Sequence, residues 1–165
     1  MSLIGLDQIS QEHLNTAGGK GANLGELIKQ GFPVPPGFVI GAQEYAVFLD
    51  GLDIPANDDI PADTEAFLAD IRTKILATPL NESLLDEIKR HHEILAATRP
   101  SDLVYAVRSS ATAEDLADAS FAGQHDTYYY VTADSIGLMV KKCWASLWSN
   151  AAFSYRHTQG IEHRT

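Results

Sequence analysis

Apolar residues recur at helical spacing in several parts of this chain, and each such stretch predicts a helix. In the first stretch, Leu24, Leu27 and Ile28 lie on one side of a helix that ends near Gln30. Gly31 stands where a left-handed residue commonly closes a helix. The remaining helical patterns cover AQEYAVFL (42–49), residues 64–77, residues 81–97, and a long stripe over 136–148 that Asp134 or Ser135 can cap.

Shorter apolar runs predict strands. They are FVI at 38–40, LVYAV at 103–107 and the aromatic run within 125–131. The apolar residues within 1–9 form either an edge strand or an ordered arm. The segment 50–63 is rich in Asp, Pro and Gly, which predicts a surface connection.

The stretch 105–124, YAVRSSATAEDLADASFAGQ, begins as a strand and ends in small residues. Its strand delivers Arg108 beside two hydroxyls, Ser109 and Ser110, and strand ends are where α/β folds place ligand chemistry. The low-bulk segment 120–123 would let a backbone approach a ligand closely. The stretch is therefore either an anion-binding cradle or a surface turn with an incidental arginine.

A second candidate is GGKG, in which Gly18, Gly19 and Gly21 surround Lys20 at the start of the first predicted helix. Each glycine costs the helix about 1 kcal/mol relative to alanine, which suggests that a backbone approaches closely here. Helix N-terminal amides together with a lysine suit a phosphate. GGKG is not a Walker A loop, because Gly21 stands where Ser or Thr should bind magnesium. By itself it is either a phosphate-binding turn or a flexible surface turn.

The composition of the chain limits the classes of partner that it can bind. The chain has 165 residues, 45% of them hydrophobic, so it can bury the core of one domain. Its 22 acidic and 12 basic side chains give a net charge of -10, which argues against nucleic acid or an anionic membrane as a general partner. Cys143 is the single cysteine and is most simply a buried small residue. Without a signal-peptide pattern or an apolar run of roughly 20 residues, a cytoplasmic location is expected.

Two groups of polar residues have a metal-binding and a structural interpretation. The adjacent histidines of KRHHE (89–93) point to different faces of a helix, so a solvated face explains them better than a metal site. Glu114, Asp115 and Asp118 could be metal ligands. Two structural roles explain them better. They can cap a helix that starts at Thr112, with Asp115 in the reciprocal position of the capping box, or they can be solvated on the surface.

Taken together, three motifs resemble a known family. GGKGANLGEL, VPPGFVI and YAVRSSATAEDLADASFAGQHDT occur in the order found in the N-terminal nucleotide-binding region of the phosphoenolpyruvate-utilising phosphotransferases. This family includes phosphoenolpyruvate synthase (pyruvate, water dikinase), pyruvate phosphate dikinase and rifampicin phosphotransferase. The resemblance runs from about Gly5 to the end of the chain. It implies that residues 1–165 are a single partial domain, the N-terminal subdomain of an ATP-grasp-like α/β (α+β) fold with a mixed sheet flanked by helices.

The resemblance also implies roles for single residues. Lys20 would contact the ATP phosphates, and Arg108 would stabilise charge on the phosphates being transferred, as the catalytic residue of this segment. Gly123 would donate its backbone amide from a loop over the phosphates. Thr127 is either a further nucleotide contact or an ordinary strand residue. The second-rank candidates, which could act only by shaping the loops, are Ser109, Ser120 and Gln124.

In the family, ATP passes its β-phosphoryl group to a histidine on a downstream domain, and then to pyruvate or, in the rifampicin enzymes, to the drug. None of the six histidines here lies in a comparable context, and Trp144 follows Cys143 where the family's threonine-cysteine-histidine motif has histidine. The acidic magnesium ligands are also expected beyond residue 165. The segment is therefore expected to be an inactive part of a longer enzyme.

Three functions remain open at this stage. The default is the ATP-binding part of a phosphoenolpyruvate synthase-like enzyme that acts on pyruvate, and the runner-up is a rifampicin phosphotransferase-like antibiotic kinase. The third is a non-catalytic module that binds an anion or a protein. Only the module predicts a stop codon near Thr165, so the gene sequence past that point separates it from the other two.

Overall fold

Backbone hydrogen bonds in the computed structural model join four short strands into two antiparallel pairs. The structure describes residues 3–52, 54, 63–98, 103–110 and 127–161. Its strands are β1 (Leu3–Gly5), β2 (Phe38–Ile40), β3 (Tyr105–Arg108) and β4 (Thr127–Val131). Its helices are α1 (Leu14–Lys29), α2 (Ala42–Asp50), α3 (Thr64–Ala77), α4 (Glu82–Ala96), α5 (Ile136–Ser146) and α6 (Asn150–Gln159). Short 3-10 turns lie at Leu6–Gln8, Gln11–His13 and Ala133–Ser135.

Contacts divide the chain into two units. The first comprises residues 1–44, 81–103 and 110–120, and the second comprises residues 45–80, 104–109 and 121–165. The first unit therefore holds α1, α4 and the β1–β2 pair. The second holds α3, α5, α6, most of α2 and the β3–β4 pair.

In the first unit, β1 pairs with β2 so that Leu3 lies opposite Ile40. The residues within 1–9, open between a strand and an arm on sequence, thus include a strand. Beside the pair lies a small core in which Ile9 and Ala17 are buried. Ile9 follows the first 3-10 turn and Ala17 belongs to α1, so this core joins the N-terminal segment to the helix.

Several helices begin or end where the sequence predicts. The helix α1 stops at Lys29, and Gly31 has the left-handed φ of 82° expected beyond a helix end. The side chains of Asp63 and Asn81 accept hydrogen bonds from first-turn amides of α3 and α4, respectively. Local capping chemistry thus places these boundaries.

The apolar pattern over 81–97, made of Leu84, Leu85, Ile88 and Ile94, predicts a buried face that the structure shows only in part. Leu84 and Ile88 are buried, whereas Leu85 is 44% exposed and Ile94 is 56% exposed. Residues four positions apart share a helix face, but the next residue points about 100° away. The buried stripe is therefore narrower than the apolar pattern suggests.

The core of the second unit surrounds Trp148, which is 2% exposed. Its indole Nε1 donates a hydrogen bond to the hydroxyl of Tyr45 at 2.9 Å, so this buried donor has a partner. Cys143, which belongs to α5, is also buried, as predicted. The other buried members of the Trp148 core are Leu49, Leu52, Ile54, Leu68, Ile71, Ile75, Ala145 and Phe153.

The helix predicted over 136–148 is α5, which ends slightly earlier, at Ser146, and a corner and a further helix, α6, follow it. The break occurs because Ser149 has an extended backbone and its hydroxyl accepts a hydrogen bond from the amide of Ala152, which starts a new helix. The helix α6 was not predicted, because its buried residues include an arginine, Arg156, beside Ala152 and Phe153.

Two arginines bind the backbone at this corner. Arg156 Nη2 donates to the carbonyl of Leu147 at 2.5 Å, and Arg72 Nη1 donates to the carbonyl of Trp148 at 2.6 Å. Carbonyls at a helix C-terminus have no partner within the helix, so the guanidinium groups replace the missing donors. Burial lowers the pKa of Arg156, although the neighbouring Tyr45 acts in the opposite direction.

The β3–β4 pair places Arg108 opposite Thr127 and Tyr105 opposite Val131, with an irregular register between Tyr105 and Val107. Both strands were predicted, with slightly wider bounds. Tyr130 in β4 has a left-handed φ of 56° and is 85% exposed.

The α/β class is confirmed, but the single mixed sheet is not what the described strands form. They make two separate antiparallel pairs. The connection from β1 to β2 contains α1, and a connection of that length permits either direction of pairing. Periodicity marks a strand without specifying its partner, which explains the difference.

Within the described ranges, no helix is long and apolar enough to cross a membrane. The surface connection predicted over 50–63 lies mostly outside those ranges, and the helix start predicted at Thr112 lies wholly outside them.

Replacing Arg156 with leucine should lower the free energy of unfolding by about 2–3 kcal/mol, because the carbonyl of Leu147 loses a charged donor inside the protein. Chemical denaturation measures this change. Arg90→Leu, at an exposed position of α4, is the matched control and should change stability by less than about 0.5 kcal/mol. Equal effects of the two substitutions would show that the buried hydrogen bond is unimportant.

Candidate functional site

The candidate site begins with a break inside α1. Gly18 has φ 68° and ψ 169°, which are not helical values, so the helix stops and starts again around Lys20. The sequence predicts a helix start at this point, whereas the structure has one helical turn before it, from Leu14. A side chain at Gly18 would be strained in this conformation.

Gly18 lies directly against Ser110. A Cβ atom at Gly18 would lie 1.9 Å from the carbonyl oxygen of Ser110 and 2.6 Å from its Oγ. The amide of Gly21 donates a hydrogen bond to the same Oγ at 3.0 Å. The structure thus brings together the GGKG turn and the second serine of VRSS, which are distant in sequence.

The other glycines on this face of α1 also allow close packing. A Cβ atom at Gly25 would lie 2.4 Å from the carbonyl oxygen of Ile9, and one at Gly21 would lie 3.2 Å from a methyl group of Val39. The close backbone approach that the sequence suggests is therefore an approach to the protein's own chain. Gly18, Gly19 and Gly21 are buried, which contradicts the reading of GGKG as a surface turn.

Lys20 is half-buried in this turn. A helix start attracts anions because its first amides have no acceptor in the helix and the helix dipole is positive there. The amide of Gly21 is already engaged by Ser110. An anion at this turn would therefore meet the amides before Gly21 and the Lys20 side chain.

Three of the predicted residues lie in the second unit. Arg108 ends β3, is exposed, and lies directly opposite the half-buried Thr127 in the antiparallel ladder. Side chains opposite each other on such a pair are within reach of one another. Ser109 follows and is half-buried. Of the predicted site residues, the structure thus makes Arg108 and Thr127 cross-strand neighbours.

Three further predicted residues, Ser120, Gly123 and Gln124, lie outside the described residues, and their roles stay predictions. Sequence reasoning did not choose Ser110 as a binding candidate, although it noted its hydroxyl. The available signal was the repeated serine of VRSS, but nothing in the sequence shows which serine faces the glycine turn.

In the described part of the chain, no group of three or more His, Cys, Asp or Glu side chains could hold a metal ion. His91 Nδ1 donates to the carbonyl of Glu87 at 2.9 Å, and its ring lies 5.2 Å from that of Phe38. His91 therefore has structural contacts within the first unit.

Comparison of the sequence with known proteins shows the class of protein to which this chain belongs. Residues 14–165 match the family model described as "Pyruvate phosphate dikinase, AMP/ATP-binding domain", which is a class of nucleotide-binding domains. The chain belongs to this family, the N-terminal ATP-binding region of the phosphoenolpyruvate-utilising enzymes. The match contains both GGKG and VRSS.

Curated relatives agree with this assignment. A protein named "Probable phosphoenolpyruvate synthase" from Staphylothermus marinus is 41% identical over 98% of this chain and 21% of its own length. Those named "Phosphoenolpyruvate synthase" from Aeropyrum pernix and Pyrococcus furiosus are 39% and 35% identical, over 99% and 95% of this chain. The chain spans only 21% and 24% of these two relatives.

Gly18→Ala tests the contact with Ser110. The substitution should lower the free energy of unfolding by about 1–3 kcal/mol for the backbone at φ 68° and ψ 169°, which essentially only glycine adopts, and by a further 1–3 kcal/mol, roughly, for overpacking. Gly31→Ala is the matched control, because Gly31 is also left-handed but nothing lies within 4 Å of the added Cβ. Denaturant titration of both variants separates strain from packing. Equal losses would contradict the tight contact.

Proposed function

We propose that this chain is the ATP-binding part of a phosphoenolpyruvate synthase-like phosphotransferase. The enzyme would move the β-phosphoryl group of ATP to a histidine on a downstream domain, and from there to pyruvate. An ATP-grasp arrangement, in which this segment is the N-terminal subdomain, is part of the proposal. The segment alone would bind ATP weakly and transfer no phosphoryl group.

The observation that carries the proposal is the buried glycine turn around Lys20, fixed to Ser110, in a chain that matches an AMP/ATP-binding family. Phosphate groups need preorganised donors, since a mobile turn must lose entropy when it binds. Here the glycines allow the turn to pack against the chain. The lysine is therefore presented from a fixed backbone.

Lys20 would act as a point charge at the ATP phosphates. A lysine at a helix start combines an ammonium group with the positive end of the helix dipole, and both favour a polyphosphate over a neutral ligand. This local charge is needed because the chain as a whole carries a net charge of -10. An anionic nucleotide would otherwise be repelled by the acidic surface.

Arg108 would stabilise charge that develops on the phosphoryl group during transfer. A guanidinium is planar and presents paired donors, which suit phosphate oxygens. Its position at the end of β3, opposite Thr127, gives it a backbone held by the ladder. Thr127 would add a hydroxyl contact to the nucleotide, Gly123 would add a backbone amide, and Ser109, Ser120 and Gln124 would shape the surrounding loops.

Magnesium would accompany ATP and neutralise its phosphates. The acidic ligands of this ion would lie beyond residue 165, as the family resemblance implies. Pyruvate is proposed as the acceptor because the relatives reported above carry the name phosphoenolpyruvate synthase.

Lys20→Ala and Arg108→Ala should each weaken ATP binding by roughly 10- to 100-fold, the equivalent of one lost charged hydrogen bond. Isothermal titration of the protein at its natural length with ATP and magnesium measures the affinities. Arg108→Ala should also reduce the turnover number, because its contact would strengthen in the transition state.

The matched controls are Lys89→Ala and Arg90→Ala, which remove the same charges from exposed positions of α4. They should leave affinity and turnover at the wild-type level. Unchanged affinity and turnover in both Lys20→Ala and Arg108→Ala would falsify the proposed site.

A further inference from the structure

We infer that Ser110 is a positioning residue that holds the Lys20 turn in its phosphate-binding conformation, an inference that rests on the proposed function. Ser110 touches this turn at two places. Its carbonyl and hydroxyl oxygens lie against the Cα of Gly18, and its Oγ accepts the hydrogen bond from the amide of Gly21. These contacts flank Lys20 on both sides.

The hydrogen bond performs the function of a helix cap. The helical segment after Gly18 starts anew, and a helix start needs a side-chain oxygen to accept from one of its first amides. Gly18 has no side chain that could do so. The Ser110 hydroxyl, from a segment 89 residues further along the chain, supplies this acceptor instead.

The packing contact fixes the same turn from its other end. The space between Gly18 and Ser110 is too small for a methyl group, so the two backbones cannot shift toward each other. The backbone on either side of Lys20 sets the direction of its Cα–Cβ bond, from which the side chain extends. Ser110 contacts both Gly18 and Gly21. A change at Ser110 therefore changes the backbone conformation from which Lys20 meets a phosphate.

Removing the hydroxyl while keeping the small side chain isolates this role. Ser110→Ala should raise the dissociation constant for ATP about tenfold, the effect of one lost hydrogen bond, and Ser110→Thr, which keeps the hydroxyl, should stay within about threefold of wild type. The KM for ATP should rise in parallel in Ser110→Ala, while the KM for pyruvate stays unchanged. A general loss of structure would change both KM values.

A double-mutant cycle tests whether Ser110 acts through Lys20. Residues that act as a unit have non-additive effects, so Ser110→Ala combined with Lys20→Ala should bind ATP no more weakly than Lys20→Ala alone. Hydrogen exchange reports the contact without ATP: the Gly21 amide should exchange faster in Ser110→Ala than in wild type. Ser154→Ala, at an exposed serine of α6, is the matched control and should change none of these measurements.

The outcomes separate the inference from the proposed function. If Lys20→Ala and Arg108→Ala both leave ATP affinity and turnover unchanged, the proposed function is wrong and the inference fails with it; if Lys20→Ala alone leaves ATP affinity unchanged, only the inference fails. If Lys20→Ala weakens binding but Ser110→Ala does not, or if the two effects add fully, only the inference is overturned. Where Ser110→Ala does not fold, Ser110→Cys, which keeps the side-chain shape with a larger atom that is a weaker acceptor, is judged by the same criteria.

Discussion

The contact between Gly18 and the backbone of Ser110 is the constraint on which the candidate site depends. It leaves no space for a side chain at Gly18, and it coincides with the break in α1 that starts a new helical segment at Lys20. The hydrogen bond from Gly21 to Ser110 closes the other side of the turn. A glycine-rich sequence thus forms a closely packed structure, because a neighbouring backbone fills the space that side chains would occupy.

Basic side chains have a structural function elsewhere in this acidic chain. Arg72 and Arg156 donate to carbonyls at the end of α5, and Lys141 Nζ donates to the carbonyls of Leu76 and Thr78 at the end of α3. Helix C-termini carry partial negative charge and carbonyls without partners, so cations stabilise them. Three of the 12 basic residues therefore bind the protein's own backbone. A basic residue in this chain is thus not by itself a sign of a ligand site.

Much of the fold could be predicted from the sequence, because local chemistry decides it. The bounds of α3, the end of α1 before Gly31 and the short strand β2 all follow from capping, glycine and apolar periodicity. The helix α6 was missed because one of its three buried residues is an arginine, Arg156, which apolar periodicity does not register. The exposure of Leu85 and Ile94 was missed because burial on α4 depends on what packs against that helix.

For the site, the sequence by itself determined which chemical groups are present: a lysine among glycines, an arginine at a strand end, and serines beside it. Motif order was sufficient to indicate the nucleotide-binding family that the family match then showed. Only the tertiary structure decided that Ser110, rather than Ser109, contacts the glycine turn, and that Arg108 lies opposite Thr127. These pairings join residues far apart in the chain, and their geometry depends on packing that no local pattern encodes.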